Sequence, residues 1–296
     1  MDYRLDVRFF PAPPDLQGCF GTFYRGEISV SGKKRITDLL QPEWGNVRFF
    51  CGDCPDARIP GGDHLSGARF TATGPSTLPA HFEIGTTRMW GIGLFPLGWA
   101  KFCSGSAADV ANRIVNGQTD SAFSAFAGLA EDLFDGQPDD EREYSRILEW
   151  VRKLDRHVPD EKRIARVHSA LVDSAIGSVA EFAELAGVEK RTLERLCRRY
   201  FGFTPKQLLR RQRFMRSLAQ FMLGQNASWS DAMDERYHDQ AQFVRDFRGF
   251  MRMSPTEYAA LDHPILSAFM RERERIWGTA AQTLDRPAQP IRAQEA

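Results

Sequence analysis

Residues 178–205, SVAEFAELAGVEKRTLERLCRRYFGFTP, contain the signals of two short helices joined by a turn and followed by a third helix. Ser178 and Glu181 have the spacing of a capping box, in which two side chains pair with free backbone amides at a helix start. Apolar residues then recur at helical spacing up to Gly187, which supplies a turn. A second helix with its own apolar face ends at Gly202. The stretch therefore predicts a helix-turn-helix unit.

The outer face of the second helix is polar and rich in arginine. Its solvent-facing residues are Arg191, Thr192, Glu194, Arg195, Arg198 and Arg199. Residues 178–216 include ten basic and four acidic side chains, a net charge of +6 in a chain whose formal net charge is +0. An amphipathic helix with a solvated charged face would show a similar pattern. The local positive charge instead favours a polyanion such as DNA, whose binding releases counterions, and a helix of this kind suits a major groove.

The third helix begins with Thr204 as the N-cap and Pro205 at the first helical position. It is predicted to run to about Leu223, and its roughly 19 residues would span about 28 Å. That length approaches the roughly 34 Å that separate successive major grooves on one face of DNA. Lys206 and Arg210, near its start, are candidate phosphate contacts.

A second unit repeats the pattern about 50 residues further on. It begins near Trp229 and continues into a helix whose predicted buried face holds Phe243, Phe247 and Phe250. Ser254-Pro255 repeats the restart signal and opens a last helix through Tyr258. Its outward-facing candidates for DNA contact are Gln240, Ala241, Val244 and Arg245.

Residues 178 to 260 resemble the DNA-binding region of the AraC/XylS family of transcription regulators. The motifs that carry the resemblance are Leu193-Glu194-Arg195-Leu196, Gly202-Phe203-Thr204-Pro205, Asp239-Gln240-Ala241-Gln242-Phe243 and Ser254-Pro255. The resemblance implies base contacts in the first unit from Arg191, Glu194 and Arg195, and in the second from the four outward-facing residues. It implies a sequence-specific regulator whose two units enter successive major grooves.

The second unit departs from the family pattern. Arg236 and Arg252 stand where the family usually has glycine, and the helix holding Trp229 is about one residue short. If these positions require a positive φ, each arginine stores roughly 1 kcal/mol of strain. We therefore expect the first unit to carry most of the DNA affinity.

The N-terminal third of the chain has a different composition. Glycine and proline punctuate short runs of β-type sequence over 18–24, 27–30, 47–50, 68–73, 81–84 and 88–95. This pattern predicts an antiparallel β barrel or sandwich. The expected fold is α+β, divided into a β-rich sensor or oligomerisation domain (1–105), a helical connector (106–173), the all-α tandem helix-turn-helix domain (174–262), and a C-terminal helix with a polar tail from Arg286 (263–296).

The resemblance extends to this order, because an N-terminal cupin-like effector or dimerisation domain is common in the family. It implies double-stranded DNA as a partner and allows RNA polymerase, a homodimer partner and a small-molecule effector as others. Gln41-Pro42-Glu43-Trp44 and the glycine-rich run 91–99 resemble an uncharacterised sensor-type domain of some members. This resemblance does not identify a ligand.

A set of large side chains in the N-terminal domain could line an effector pocket: Trp44, Phe49, Met89, Trp90 and Trp99. Aromatic residues at strand spacing more often form a core. A ligand-free oligomerisation module is therefore the competing interpretation.

No catalytic motif, metal site or cofactor is expected. His64 and His81 are isolated, and no Lys-Ser/Thr follows Gly61-Gly62 or Gly74-Pro75, as a phosphate loop requires. Cys51-x-x-Cys54 would need two more ligands, from Cys19 and Cys103, to bind zinc. Four such thiolates beside an AraC-type domain would resemble the adaptive-response DNA repair methyltransferases, which leaves a zinc- and cysteine-dependent alkylation-repair protein as the alternative function.

Composition sets looser bounds. The 296 residues allow two domains, and 42% hydrophobic with 26% charged residues are typical of a globular protein. Five cysteines without a paired framework suit a reducing compartment. With no signal peptide and no membrane-length apolar run, we expect a cytoplasmic protein that does not enter a membrane.

Overall fold

The computed structural model describes residues 3–224 and 228–287 of the chain. Its strands are β1 (Tyr3–Phe10), β2 (Phe20–Val30), β3 (Ile36–Leu40), β4 (Gly45–Gly52), β5 (Asp56–Arg58), β6 (His64–Leu65), β7 (Phe70–Thr73), β8 (Ala80–Ile84), β9 (Thr87–Leu94) and β10 (Ile114–Asn116). They form a six-stranded antiparallel sheet in the order β1-β2-β9-β4-β7-β10 and a four-stranded antiparallel sheet in the order β3-β8-β5-β6.

The two sheets pack against each other. Ile28 and Met89 from the larger sheet share one apolar cluster with Ile36 and Ile84 from the smaller one. The strands therefore form a sandwich, one of the two predicted architectures, and no closed barrel is formed by the described strands.

Most of the predicted strands are present. The runs at 47–50, 68–73, 81–84 and 88–95 lie in β4, β7, β8 and β9, and the first two runs belong to the single long strand β2. The strand prediction missed β1, although apolar Leu5 and Val7 alternate with polar Arg4 and Asp6 there, which is a strand signal. It also missed β3, β5, β6 and β10.

The larger sheet has a core on both of its faces. Because side chains of a strand alternate between faces, Phe49 and Trp90 lie in the core formed with the helices, whereas Phe50 and Met89 lie in the core between the sheets. A sheet covered on both sides loses the simple apolar–polar alternation.

The helices are α1 (Pro96–Phe102), α2 (Ala127–Asp132), α3 (Asp140–Leu154), α4 (Glu161–Leu171), α5 (Val179–Ala186), α6 (Lys190–Leu196), α7 (Pro205–Leu223), α8 (Trp229–Ala232), α9 (Gln240–Met251), α10 (Pro255–Ala259) and α11 (Leu266–Trp277). A π-helical turn, Cys197–Phe201, extends α6. None of the helices in the described part of the chain combines the length and the apolar composition needed to span a bilayer.

The segment predicted as a helical connector, 106–173, is helical only in part, and this corrects the prediction. β10 lies within it and pairs with β7, and it adds the last strand to the larger sheet. Its helix α3 is tied to that sheet by ion pairs: Arg88 Nη2 lies 2.7 Å from Glu143 Oε2, and Arg25 Nε lies 3.0 Å from Asp140 Oδ1.

The chain returns to the β sandwich after α10. The Asp38 carboxylate on β3 accepts hydrogen bonds from the backbone amides of Ile265 and Leu266, each at 2.8 Å. Phe269 of α11 packs against the rings of Phe9 and Tyr24. The predicted C-terminal helix is present, and it closes one side of the sandwich. Of the predicted polar tail, residues 288–296 lie outside the described residues.

Helix α7 is docked onto the sandwich through a buried arginine. Arg211 Nη1 donates to the carbonyl oxygen of Ser76 at 3.0 Å, and its guanidinium lies 3.9 Å from the ring centroid of Trp44. Burial lowers the pKa of this guanidinium. A second link is the hydrogen bond from Gln41 Nε2 to Tyr258 Oη, 2.9 Å long.

Candidate nucleic-acid interface and ligand cavity

The first helix-turn-helix unit, α5 with α6, has the predicted local structure. The Ser178 hydroxyl accepts from the Glu181 amide and the Glu181 carboxylate accepts from the Ser178 amide, which completes the capping box. Gly187 adopts a φ of 63° between the two helices, and Gly202 adopts a φ of 84° after the π-helical turn. Both glycines therefore occupy left-handed positions that other residues adopt only with strain.

The core-facing side of α6 is anchored and its outer side is cationic. Leu193 and Leu196 are fully buried. The predicted contact residues Arg191, Arg195, Arg198 and Arg199 are exposed, and Thr192 and Glu194 are half-buried. Arg198 Nε lies 3.0 Å from Glu194 Oε1, so part of the positive charge is balanced on the helix itself.

Arg195 has a partner that its local sequence does not indicate. Its Nη1 lies 3.2 Å from Oδ2 of Asp160, the residue that precedes α4. The same carboxylate accepts from Arg163 and, at 3.4 Å, from the Tyr200 hydroxyl. Although burial alone would raise it, the hydrogen bonds and charges of Arg195 and Arg163 hold the pKa of Asp160 below its usual value. The connector thus fixes one side of the Arg195 guanidinium.

Helix α7 begins as predicted, with the Thr204 hydroxyl accepting from the Gln207 amide. Lys206 on its first turn is exposed. Arg210 Nη2 and Arg213 Nη2 both reach the buried carboxylate of Asp246 on α9, at 2.6 and 2.8 Å. Arg210 is half-exposed and paired with Asp246. Its predicted phosphate contact would therefore have to use its remaining N–H donors.

The net charge of the 178–216 segment overstates the cationic surface. Arg211 is fully buried, and Arg213 and Arg216 pair with Asp246 and Asp234. The exposed positive charge is concentrated on α6 and the start of α7.

The second unit consists of α8 and α9. Helix α8 has only four residues, Trp229–Ala232, and Ser228 caps it. Helix α9 begins at the Asp239 cap and buries Phe243, Phe247 and Phe250 as predicted. Of its candidate contacts, Gln240, Ala241 and Arg245 are exposed and Val244 is half-buried.

The two arginines at the usual glycine positions behave differently. Arg252 has a φ of 61°, in the left-handed region, so strain is expected there. Arg236 is not among the described residues with positive φ, so the condition for strain is not met there. Its Nε instead donates to the Ser174 carbonyl at 2.6 Å, which ties the second unit to the segment before α5.

A cavity of about 160 Å³ lies between the two sheets, α7 and the C-terminal segment. Phe50 and Met89 of the larger sheet and Phe82 of the smaller one form parts of its wall. Met215 of α7 and Phe269 of α11 close other sides. The cavity is thus bounded both by the sandwich and by α7, the helix between α6 and α8.

Only one of the five side chains predicted for an effector pocket lines this cavity, namely Met89. Trp44, Phe49, Trp90 and Trp99 are at most 2% exposed and lie in the core between the larger sheet and the helices. Strand alternation explains why these residues do not all line one cavity, since neighbours such as Met89 and Trp90 must point to opposite faces of the sheet. The pocket residues that sequence reasoning missed include Met215 and Phe269, which come from distant parts of the chain.

The five cysteines differ in their exposure to solvent. Cys51 is exposed, Cys54 is half-buried, and Cys19, Cys103 and Cys197 are buried. Burial raises the pKa of the Cys19 thiol to about 12 and raises that of Cys103 as well, so both thiols are protonated near neutral pH. Within residues 3–224 and 228–287, no three His, Cys, Asp or Glu side chains form a group that could hold a metal ion.

Comparison with known proteins identifies the C-terminal domain. Residues 182–260 match the family described as "Helix-turn-helix domain", and this part of the chain is an AraC-type helix-turn-helix domain. The comparison with curated proteins finds no match.

Several solved structures are similar to the chain. ToxT from Vibrio cholerae has 10% identity and a TM-score of 0.44, with 87% of this chain and 98% of that chain covered. Unsaturated fatty acid bound ToxT from Vibrio cholerae strain SCE256 has 11% identity and a TM-score of 0.39, with 86% and 94% covered. The AraC-like transcriptional activator CuxR has 12% identity and a TM-score of 0.27, with 73% and 87% covered.

Proposed function

We propose that this protein, whose residues 182–260 form an AraC-type helix-turn-helix domain, is a sequence-specific DNA-binding transcription regulator. The observation that carries the proposal is that α6, which lies within the matched domain, has a buried apolar face and exposed arginines. Arg191 and Arg195 lie one helical turn apart, where guanidinium groups can reach guanine edges in a major groove.

Both units take part in the proposed interaction. Helix α7 has 19 residues and a length of about 28 Å, and it connects the two units as one rigid element. Two recognition helices on such a spacer suit successive major grooves on one face of DNA. The paired arginines Arg210 and Arg213 fix α9 to this spacer through Asp246.

The cavity is proposed as the site of a small-molecule effector. It is enclosed mainly by apolar side chains, as ligand sites usually are. Met215 lies on its wall and on α7, so a bound molecule would contact the element that sets the relative placement of the two units. Control of transcription by a ligand would then act through that helix.

Binding-site selection with the full chain and random duplex DNA tests the proposal. We expect one enriched motif, which is then titrated beside a scrambled duplex at two salt concentrations. The motif should bind at least about 10³ times more tightly than the scrambled duplex, and the affinity for both should fall as salt rises. Equal affinity for the two duplexes would contradict sequence-specific recognition.

A further inference from the structure

We propose that the cavity binds a small, neutral, largely apolar molecule with one amide-like group, and that Gln282 of the C-terminal segment recognises that group. The inference rests on the proposed role of the cavity as an effector site. It adds the chemical class of the ligand and places its recognition outside both the β strands and the helix-turn-helix domain.

The size and the wall of the cavity limit the ligand. An apolar cavity of roughly 150 Å³ accommodates benzene, so about 160 Å³ suits a single ring with a small substituent. Phe50, Phe82, Ile84, Met89 and Phe269 supply apolar contacts around this space. The main part of the ligand is therefore apolar and compact.

Gln282 provides the polar recognition. Its side chain lines the cavity and is 8% exposed. Within the described part of the chain, neither its Nε2 nor its Oε1 has a hydrogen-bond partner. A buried amide left unpaired is costly, and a ligand group that both donates and accepts would satisfy both atoms.

The sheet is shaped to admit this amide. A Cβ at Gly93 would overlap the Gln282 amide, and a Cβ at Gly21 would lie 2.9 Å from Gln282 Cγ. The two glycines on β9 and β2 therefore leave the space that the Gln282 side chain occupies. The amide is held over the sheet rather than displaced into solvent.

Charge balance favours a neutral ligand. The charged residues on the cavity wall are Glu43, Arg48 and Arg273. Arg48 Nη2 lies 2.7 Å from Glu43 Oε1, and Arg273 pairs with the buried Asp285. Both guanidinium groups are therefore neutralised, and a carboxylate ligand would bring an uncompensated buried charge. Arg273 Nε has no partner in the described residues and could donate to a ligand carbonyl.

The test uses three probes of one size, benzamide, benzoate and toluene, titrated calorimetrically against the full chain at pH 7.5. We expect benzamide to bind at least about tenfold more tightly than toluene or benzoate. Binding of benzoate equal to or tighter than that of benzamide, or no measurable benzamide binding, would overturn the inference. Only the unsubstituted protein is needed for this comparison.

Two matched substitutions test whether Gln282 is the residue that recognises the amide group of the ligand. Gln282→Leu should weaken benzamide binding at least about tenfold and leave toluene binding within about threefold, which also shows an intact cavity. Gln41→Leu changes a second glutamine on the wall, whose amide already donates to Tyr258 Oη, and should leave benzamide binding nearly unchanged. Unchanged benzamide affinity in Gln282→Leu would overturn the assignment of Gln282.

The same samples separate this inference from the proposed function. A chain that binds its selected duplex but not benzamide would overturn only the ligand assignment. A chain that binds benzamide as expected but shows no sequence-specific duplex binding would overturn the proposed function and leave the cavity chemistry standing.

Discussion

At the scale of single residues, Arg195 links the exposed face of α6 to Asp160 of the connector. Its guanidinium has Nη1 held by Asp160 and is 48% exposed, so its other donors remain available to a base edge. An arginine held on one side loses less side-chain freedom when it binds a guanine. In the proposed DNA complex, Asp160 would be a positioning residue for base recognition, although it lies 35 positions away in the sequence.

The first prediction concerns this pair. Arg195→Ala should cost about 1–3 kcal/mol of specific binding and relax the preference at one base-pair position. Asp160→Asn should relax the same position by a smaller amount, of about 1 kcal/mol, because Arg195 keeps its charge but loses its orientation. Binding-site selection with each variant is the measurement.

Arg163→Ala is the control, because Arg163 shares Asp160 but belongs to the connector. It should leave the selected motif unchanged. If Asp160→Asn relaxed no position, or relaxed a position different from that of Arg195→Ala, the positioning role would be refuted.

The second prediction concerns the arginines at the usual glycine positions. Arg252→Gly should raise the free energy of unfolding by about 1 kcal/mol, since glycine adopts a φ of 61° without strain. Arg236→Gly should lower it, because Arg236 lacks a positive φ and donates to the Ser174 carbonyl. Urea unfolding of the full-length variants measures both. Changes of the same sign would show that backbone strain does not distinguish the two positions.

At the scale of secondary-structure elements, the two predicted helix-turn-helix units differ in the side chains that they expose. Helix α6 and the turn that extends it offer several exposed arginines, and the partner helix α5 has eight residues. Helix α9 offers Gln240, Ala241, a half-buried Val244 and the single candidate arginine Arg245, and its partner α8 has only four residues. Apolar side chains such as Ala241 can contact a thymine methyl group but not a phosphate.

The third prediction follows from this difference. Arg191→Ala should weaken specific DNA binding more than Gln240→Ala, by at least about tenfold or 1.4 kcal/mol. Both variants are titrated on one selected duplex at a fixed salt concentration. Equal losses, or a larger loss from Gln240→Ala, would mean that α9 contacts DNA as strongly as α6.

At the scale of the whole molecule, the β sandwich and the helical domains share one core. His168 of α4 packs against Trp44 and Phe95 of the N-terminal domain and against Phe201 after α6. Burial, together with the nearby charge of Arg211, lowers the pKa of His168 to about 3. The imidazole therefore remains neutral in the folded protein at mildly acidic pH.

The fourth prediction is a pH dependence of stability. The unfolded chain takes up a proton at His168 below about pH 6.5, whereas the folded chain does so only near pH 3. The contribution of His168 to the free energy of unfolding is thus fully present above pH 6.5 and decreases as the pH falls towards 3. Between pH 6.5 and 5 the loss should be about 2 kcal/mol. His168→Phe should remove that part of the slope in urea unfolding, and parallel curves for the variant and the wild type would contradict the assignment.

The local features of the DNA-binding domain could be predicted from sequence. Ser178, Thr204 and Ser254 are N-caps, and Gly187 and Gly202 adopt positive φ, as expected. Each of these features depends on residues within about four positions of each other, so the sequence pattern contains the whole interaction. The β-rich sandwich was likewise predictable in class from the spacing of its glycines, prolines and apolar runs.

Tertiary structure decided the features that join distant residues. The pairing of Arg195 with Asp160, the burial of Arg211 against Trp44, and a cavity closed by Met215 and Gln282 depend on how separate elements pack. Alternation along the predicted strand places Met89 and Trp90 on opposite faces, but the sequence could not tell which face borders the cavity, because both faces of their sheet are buried and hydrophobicity no longer distinguishes them. Local hydrogen bonds and periodicity are set along the chain, whereas ion pairs and cavities are set by contacts across it.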